Sequence, residues 1–93
     1  MESKILGERI RERRRKQKMS MDELGAAIGF DSNGRKTAVH YIEVGTNRLR
    51  IERLHAVAAA LQTSIYYLLG IIDDDSITDD DIVMLINNRS LDE

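Results

Sequence analysis

Two aspartate triplets, Asp73-Asp74-Asp75 and Asp79-Asp80-Asp81, two histidines, His40 and His55, and a basic run, Arg13-Arg14-Arg15-Lys16, concentrate the reactive and charged groups of this sequence. Carboxylates and imidazoles can hold a metal ion or move protons. The triplets lack the spacing, the glycine turn and the terminal glutamate of a calcium loop. As a linker and a helix first turn they already have a use. His40 and His55 fall on different helices, with no serine or cysteine motif to serve. The chain has no cysteine, which removes thiolate metal sites, thiol nucleophiles and disulfides. We expect no catalytic site, no metal and no cofactor.

What remains is charge. The formal net charge of −2 divides unevenly: residues 1–70 hold thirteen Lys/Arg against eight Asp/Glu, whereas residues 71–93 hold one against eight. A basic body with an acidic tail differs from a weakly acidic protein. The basic part is a candidate polyanion binder, although charge alone does not separate a binding face from a solvated one. No apolar run approaches the ~18–20 residues of a membrane span. The start, Met1-Glu2-Ser3-Lys4, lacks the basic-then-apolar plan of a secretory signal. The expectation is a cytoplasmic protein of one compact domain and a short appendage, with no membrane partner.

The elements that must position these groups read as helices. Without proline, punctuation falls to glycine and capping residues. A first helix, about Lys4 to Lys18, places Leu6, Ile10 and Arg14 on one stripe, with its basic run near the C-terminal end, where cations complement the dipole. Ser20 fits the N-cap of a second, with Glu23 at the capping-box position; Leu24 and Ile28 are its apolar side and Gly29 its stop. Asp31-Ser32-Asn33-Gly34 is the clearest turn. A third helix, about Arg35 to Val44, ends at Gly45. Ala38, Val39 and Ile42 share its inner face; Lys36, Thr37, His40, Tyr41 and Val44 take the other. A fourth, about Ile51 to Leu61, buries Ile51, Leu54, Val57, Ala58 and Leu61. Ser64 caps a short fifth with Ile65, Leu68 and Leu69, closed by Gly70, and packing accounts for at least one of Tyr66 and Tyr67.

The tail follows another pattern. Asp73 to Asp75 reads as a solvated linker. Thr78 then caps a sixth helix, reaching about Leu91, whose first turn is Asp79 to Asp81. Ile82-Val83-Met84-Leu85-Ile86 is apolar all round, since five residues sweep about 500° of helix. One packing surface cannot cover it. The segment is either a helix sandwiched between its own domain and a partner, or a short strand; the helix is favoured.

The order of residues adds a resemblance. Leu6-Gly7-Glu8-Arg9-Ile10-Arg11-Glu12-Arg13-Arg14 with Met19-Ser20-Met21-Asp22-Glu23-Leu24 resembles the opening of the phage repressor and Cro-like (xenobiotic-response-element type) helix-turn-helix family. Val39-His40-Tyr41-Ile42-Glu43-Val44-Gly45 is similar to the end of its recognition helix. Leu54 to Leu61, followed by Gln62 to Leu69, is similar to its closing helices. The likeness covers about residues 5–70. It implies an all-α fold: a five-helix repressor-like DNA-binding domain with a helix-turn-helix, plus a short C-terminal helix.

In such motifs the second helix of the pair lies in the major groove while the first crosses the backbone, and dimers bind palindromic sites. The resemblance makes Lys36, Thr37, His40 and Tyr41 the base-contacting residues. It makes Arg35, Thr46, Asn47 and Arg48 phosphate contacts, and Arg14 with Glu43 a structural ion pair. Departures accompany it. Leu24 to Val39 spans four residues more than the family interval, so Asp31 to Gly34 reads as an insertion. Either the third helix starts a turn early or the extra residues form a loop, which Gly34 favours. Met21 stands where a phosphate-gripping glutamine is common. Arg13 replaces an apolar residue, its methylenes snorkelling along the core edge. The family's proline after the third helix is absent.

The expected organisation is a DNA-binding domain over 1–70 and a dimerisation or partner-binding tail over 71–93, with Ile82, Val83, Leu85 and Ile86 at a homodimer interface. The expected function is a sequence-specific DNA-binding transcriptional regulator, a repressor that binds a palindromic operator in double-stranded DNA as a dimer. The alternatives are an antitoxin-like module whose tail binds a partner protein, and an interaction protein that has lost DNA binding.

Overall fold

Helix-forming stretches separated by capping residues leave this chain one economical arrangement, short helices folded on a common core. In the computed structural model, which describes residues 3–46 and 49–91, they are α1 (Ser3–Lys16), α2 (Met21–Ala27), α3 (Arg35–Glu43), α4 (Ile51–Ala60), α5 (Ile65–Leu68) and α6 (Asp79–Leu91). The described residues contain no strand, so the expected all-α class holds and the apolar tail segment is helical.

Helix starts follow the expected caps. Ser20 Oγ accepts from Glu23 N at 2.9 Å while Ser20 N donates to Glu23 Oε1 at 3.0 Å. Ser64 Oγ accepts from Tyr67 N at 3.0 Å. Thr78 Oγ1 accepts from Asp81 N at 3.1 Å, and Thr78 N donates back to Asp81 Oδ2 at 3.0 Å. Each bond satisfies a donor the helix leaves orphaned.

Helix ends are more uniform than expected. α1 to α5 each close on a left-handed residue, with the following N–H reaching back five residues, as in Met19 N to Arg14 O and Phe30 N to Gly25 O. Gly29, Gly45 and Gly70 fill this position as expected. Lys18 and Gln62 fill it too, at φ +56° and +54°. α1 therefore ends at Lys16, two residues short of the expected limit.

The core is built from Leu6, Ile10, Leu24, Ile28, Val39, Ile42, Leu54, Val57, Ala58, Leu61, Tyr67 and Leu68. Ile51 is a correction: it is 56% exposed as the first residue of α4, and burial on that helix begins with Leu54. Arg13 is another. It does not snorkel; it is buried, and its guanidinium donates to Leu61 O at 2.8 Å and Gln62 O at 3.2 Å, capping the end of α4.

The linker is corrected at one residue: Asp73 and Asp74 are exposed, as expected of a solvated segment, but Asp75 is half-buried and accepts from Arg13 at 3.0 Å and Lys16 at 2.9 Å. Those cations hold its carboxyl below the ordinary value against the opposing effect of burial, with the Lys16 hydrogen bond the largest cause. Arg9 adds a tie, donating to Tyr67 O at 2.6 Å and Ile72 O at 2.7 Å while its guanidinium lies 4.3 Å over the Tyr67 ring. Much of the basic charge of α1 is thereby spent on the chain's own tail.

Candidate nucleic-acid interface

A helix reads an external surface only if its inner side is fixed. On α3, Val39 and Ile42 are buried, at 0% and 5% exposure, and Ala38 is half-buried. Lys36, Thr37, His40 and Tyr41 are all exposed, and helical spacing puts them on one outward face. The His40 and Tyr41 rings meet edge to face at 5.6 Å. Val44, 51% exposed, extends the same surface.

The far end of α3 is held by Arg14. Its Nε donates to Glu43 Oε2 at 2.6 Å, its Nη2 to Glu43 Oε1 at 3.1 Å, and its Nη1 to Met19 O at 2.9 Å. Both side chains are nearly excluded from water, at 9% and 2% exposure. The fork and the carboxylate satisfy each other in a place where neither could stand alone. Gly7 lets α1 come this close: a Cβ there would strike the Glu43 carbonyl and lie 2.8 Å from Ile42 O.

The near end of α3 has a different anchor. Asp31 to Gly34 form an exposed turn, and α3 begins at Arg35, so the four extra residues are a loop and not an added helical turn. Arg35 Nε and Nη2 donate to the two carboxylate oxygens of Asp22, each at 2.8 Å. Arg35, expected at a phosphate, is thus engaged within the protein. The hydrogen bond from Arg35 holds the Asp22 carboxyl below its ordinary value, and Asp22 raises Arg35 in return.

Thr46, just past α3, is exposed and donates from Oγ1 to Tyr41 O at 3.2 Å. Asn47 and Arg48, the other expected phosphate contacts, lie outside the described residues. Met21 is half-buried and packs against the core, so it presents apolar surface where the resemblance would place a glutamine. Nothing in its sequence context singles out Arg53. It donates to Ile28 O at 2.6 Å and stacks 4.3 Å over Phe30, tying α4 to the end of α2.

In the tail, Val83, Leu85 and Ile86 are 54%, 61% and 58% exposed and Ile82 is half-buried. α6 is anchored through Asp79, which accepts from Ile65 N at 3.0 Å and lies 3.6 Å from His55 Nδ1. The two histidines therefore have separate local partners. No helix among the described residues is long and apolar enough to cross a membrane.

The helix-turn-helix family model matches residues 10–68. An uncharacterized HTH-type transcriptional regulator, y4aM, of Sinorhizobium fredii (strain NBRC 101917 / NGR234) is 38% identical over 71 residues. That match covers 76% of this chain and 47% of the relative, so the chain spans about half the relative's length. No solved structure gives a significant match.

Proposed function

The chain belongs to the helix-turn-helix family of DNA-binding transcriptional regulators, and we propose that it is a sequence-specific repressor that occupies a palindromic operator as a homodimer in the cytoplasm. One observation carries the reading: Lys36, Thr37, His40 and Tyr41 form an exposed face on a helix whose other side is fixed in the core. The major groove admits a helix, and only there are all four base pairs distinguishable. Lys36 donates to guanine O6 or N7, the Thr37 methyl meets a thymine methyl, and Tyr41, braced by His40, donates to a base acceptor. Thr46, Asn47 and Arg48 meet phosphates, which set register and affinity rather than sequence. Polymerase is excluded while the operator is occupied.

Residues 1–70 are the DNA-binding domain and 71–93 the association tail. A thirteen-residue helix is marginal alone in water, and α6 exposes Val83, Met84, Leu85 and Ile86 around its circumference. A second copy covering that surface, with Ile82 at its edge, gives a dimer able to bind half-sites about one DNA turn apart. The test is selection of bound duplexes from a random pool with the purified chain. An enriched palindrome, retained less as salt rises, is expected; no enrichment and no salt-dependent retention would leave an interaction protein without DNA binding.

The same exposed α6 surface supports a second reading, an antitoxin-like module whose tail binds a different protein. A stoichiometric partner that copurifies with the chain favours it, whereas a homodimer of the isolated chain favours the repressor.

A further inference from the structure

We propose that Asp22 and Arg35 form a positioning clamp that fixes where Lys36 and Thr37 meet DNA, so that Arg35 acts through α3 and not as a phosphate contact. The inference rests on the DNA-reading role proposed above.

The first turn of α3 has little else to hold it. Residues 31–34 are all exposed, and nothing lies within 4 Å of where a Gly34 Cβ would stand. Gly34, the N-cap, offers no side-chain hydrogen bond to the helix start. The buried anchors Val39 and Ile42 lie further along, and Glu43 is the last residue of the helix. Arg35 ties the first turn to α2 at two levels. Its backbone and stem pack at Gly25, where a Cβ would fall 3.0 Å from Arg35 Cβ, 3.2 Å from Cγ and 3.3 Å from its carbonyl oxygen.

Its head then makes two bonds of 2.8 Å to a carboxylate in the first turn of α2, a turn itself fixed by the Ser20–Glu23 box. Two bonds from a planar fork set orientation as well as distance, which a single ammonium contact cannot. Lys36 and Thr37 follow Arg35 directly in the chain, so any roll of the helix start moves them first. The pair has a second effect. In such motifs the first helix crosses the DNA backbone, and Arg35 neutralises a carboxylate that would otherwise repel phosphate.

The test uses the full chain with Asp22→Ala, Arg35→Ala, Arg35→Lys and the double alanine variant. Amide hydrogen exchange is followed at Ala38, whose N–H donates to Gly34 O at 2.9 Å across the first turn. Duplex selection is run in parallel. Each single variant is expected to speed Ala38 exchange about fivefold. Each is also expected to relax discrimination at the base pairs under Lys36 and Thr37 by about fivefold, leaving that under Tyr41 unchanged. The double variant is expected to match the singles. Arg35→Lys behaving like the parent would overturn the clamp, as would unchanged exchange. So would Asp22→Ala if it kept the parent's preferred sequence and steepened the salt slope by about one unit, the mark of a phosphate contact. A parent chain that enriches no duplex at all would instead overturn the DNA-reading role itself.

Discussion

Arg14 and Glu43 bring opposite charges out of water, and each is tolerable there only because the other is present. Removing one partner leaves an uncompensated buried charge, at a cost of about 3–5 kcal/mol. Against a total stability of about 5–15 kcal/mol, that is a large fraction. Glu43→Ala is therefore expected to lower the thermal midpoint by more than about ten degrees; a variant melting within a degree or two of the parent would contradict the pairing. This pair is legible in the sequence, since both members stand in order within a recognisable pattern. The other buried or stacked arginines are not. Arg9, Arg13 and Arg53 all donate to backbone carbonyls, at Tyr67, Leu61 and Ile28 among others. A carbonyl carries no side-chain signature, so nothing in the order of residues marks it as a partner.

Among the elements, starts are easier to read than ends. Ser20, Ser64 and Thr78 announce themselves because their hydroxyls suit a cap. Lys18 and Gln62 do not, because a non-glycine residue enters the left-handed region only when its surroundings compel it. The linker misleads for a related reason. An aspartate triplet looks solvated until the fold places α1 beside it, and then Asp75 meets Arg13 and Lys16. Its carboxyl is held below the ordinary value, so the stabilisation it gives is full above the unfolded value, about 3.9. It is lost as pH falls through the lower folded value. Asp75→Asn is expected to cost about 1 kcal/mol near neutrality, roughly 4–8 °C in the thermal midpoint. That gap should narrow as the pH at which both proteins are melted falls below the unfolded value and through the lower folded one. A gap unchanged at low pH would show that charge is not what docks the linker.

At the scale of the molecule, the principal extents of 50 × 24 × 24 Å describe an elongated object. α6 is anchored at its first turn by Asp79 and leaves Val83 to Ile86 exposed beyond it. Deleting residues 77–93 is expected to convert a sedimenting dimer to a monomer and to weaken binding to a palindrome. A truncated chain that still sediments as the full dimer would place association elsewhere, with α5 the next surface to test.

In the proposed division of labour the outer face of α3 reads bases while the loop after it reads only phosphate. Duplex selection with Lys36→Ala, Tyr41→Ala and Arg48→Ala, each compared with the parent, tests it most directly. The first two substitutions should change which sequences are preferred, each good base pairing being worth about 1–3 kcal/mol of discrimination. Arg48→Ala should weaken all duplexes alike and lower the salt slope by roughly one unit for each phosphate it no longer neutralises. An unchanged preferred sequence for both Lys36→Ala and Tyr41→Ala would contradict the claim.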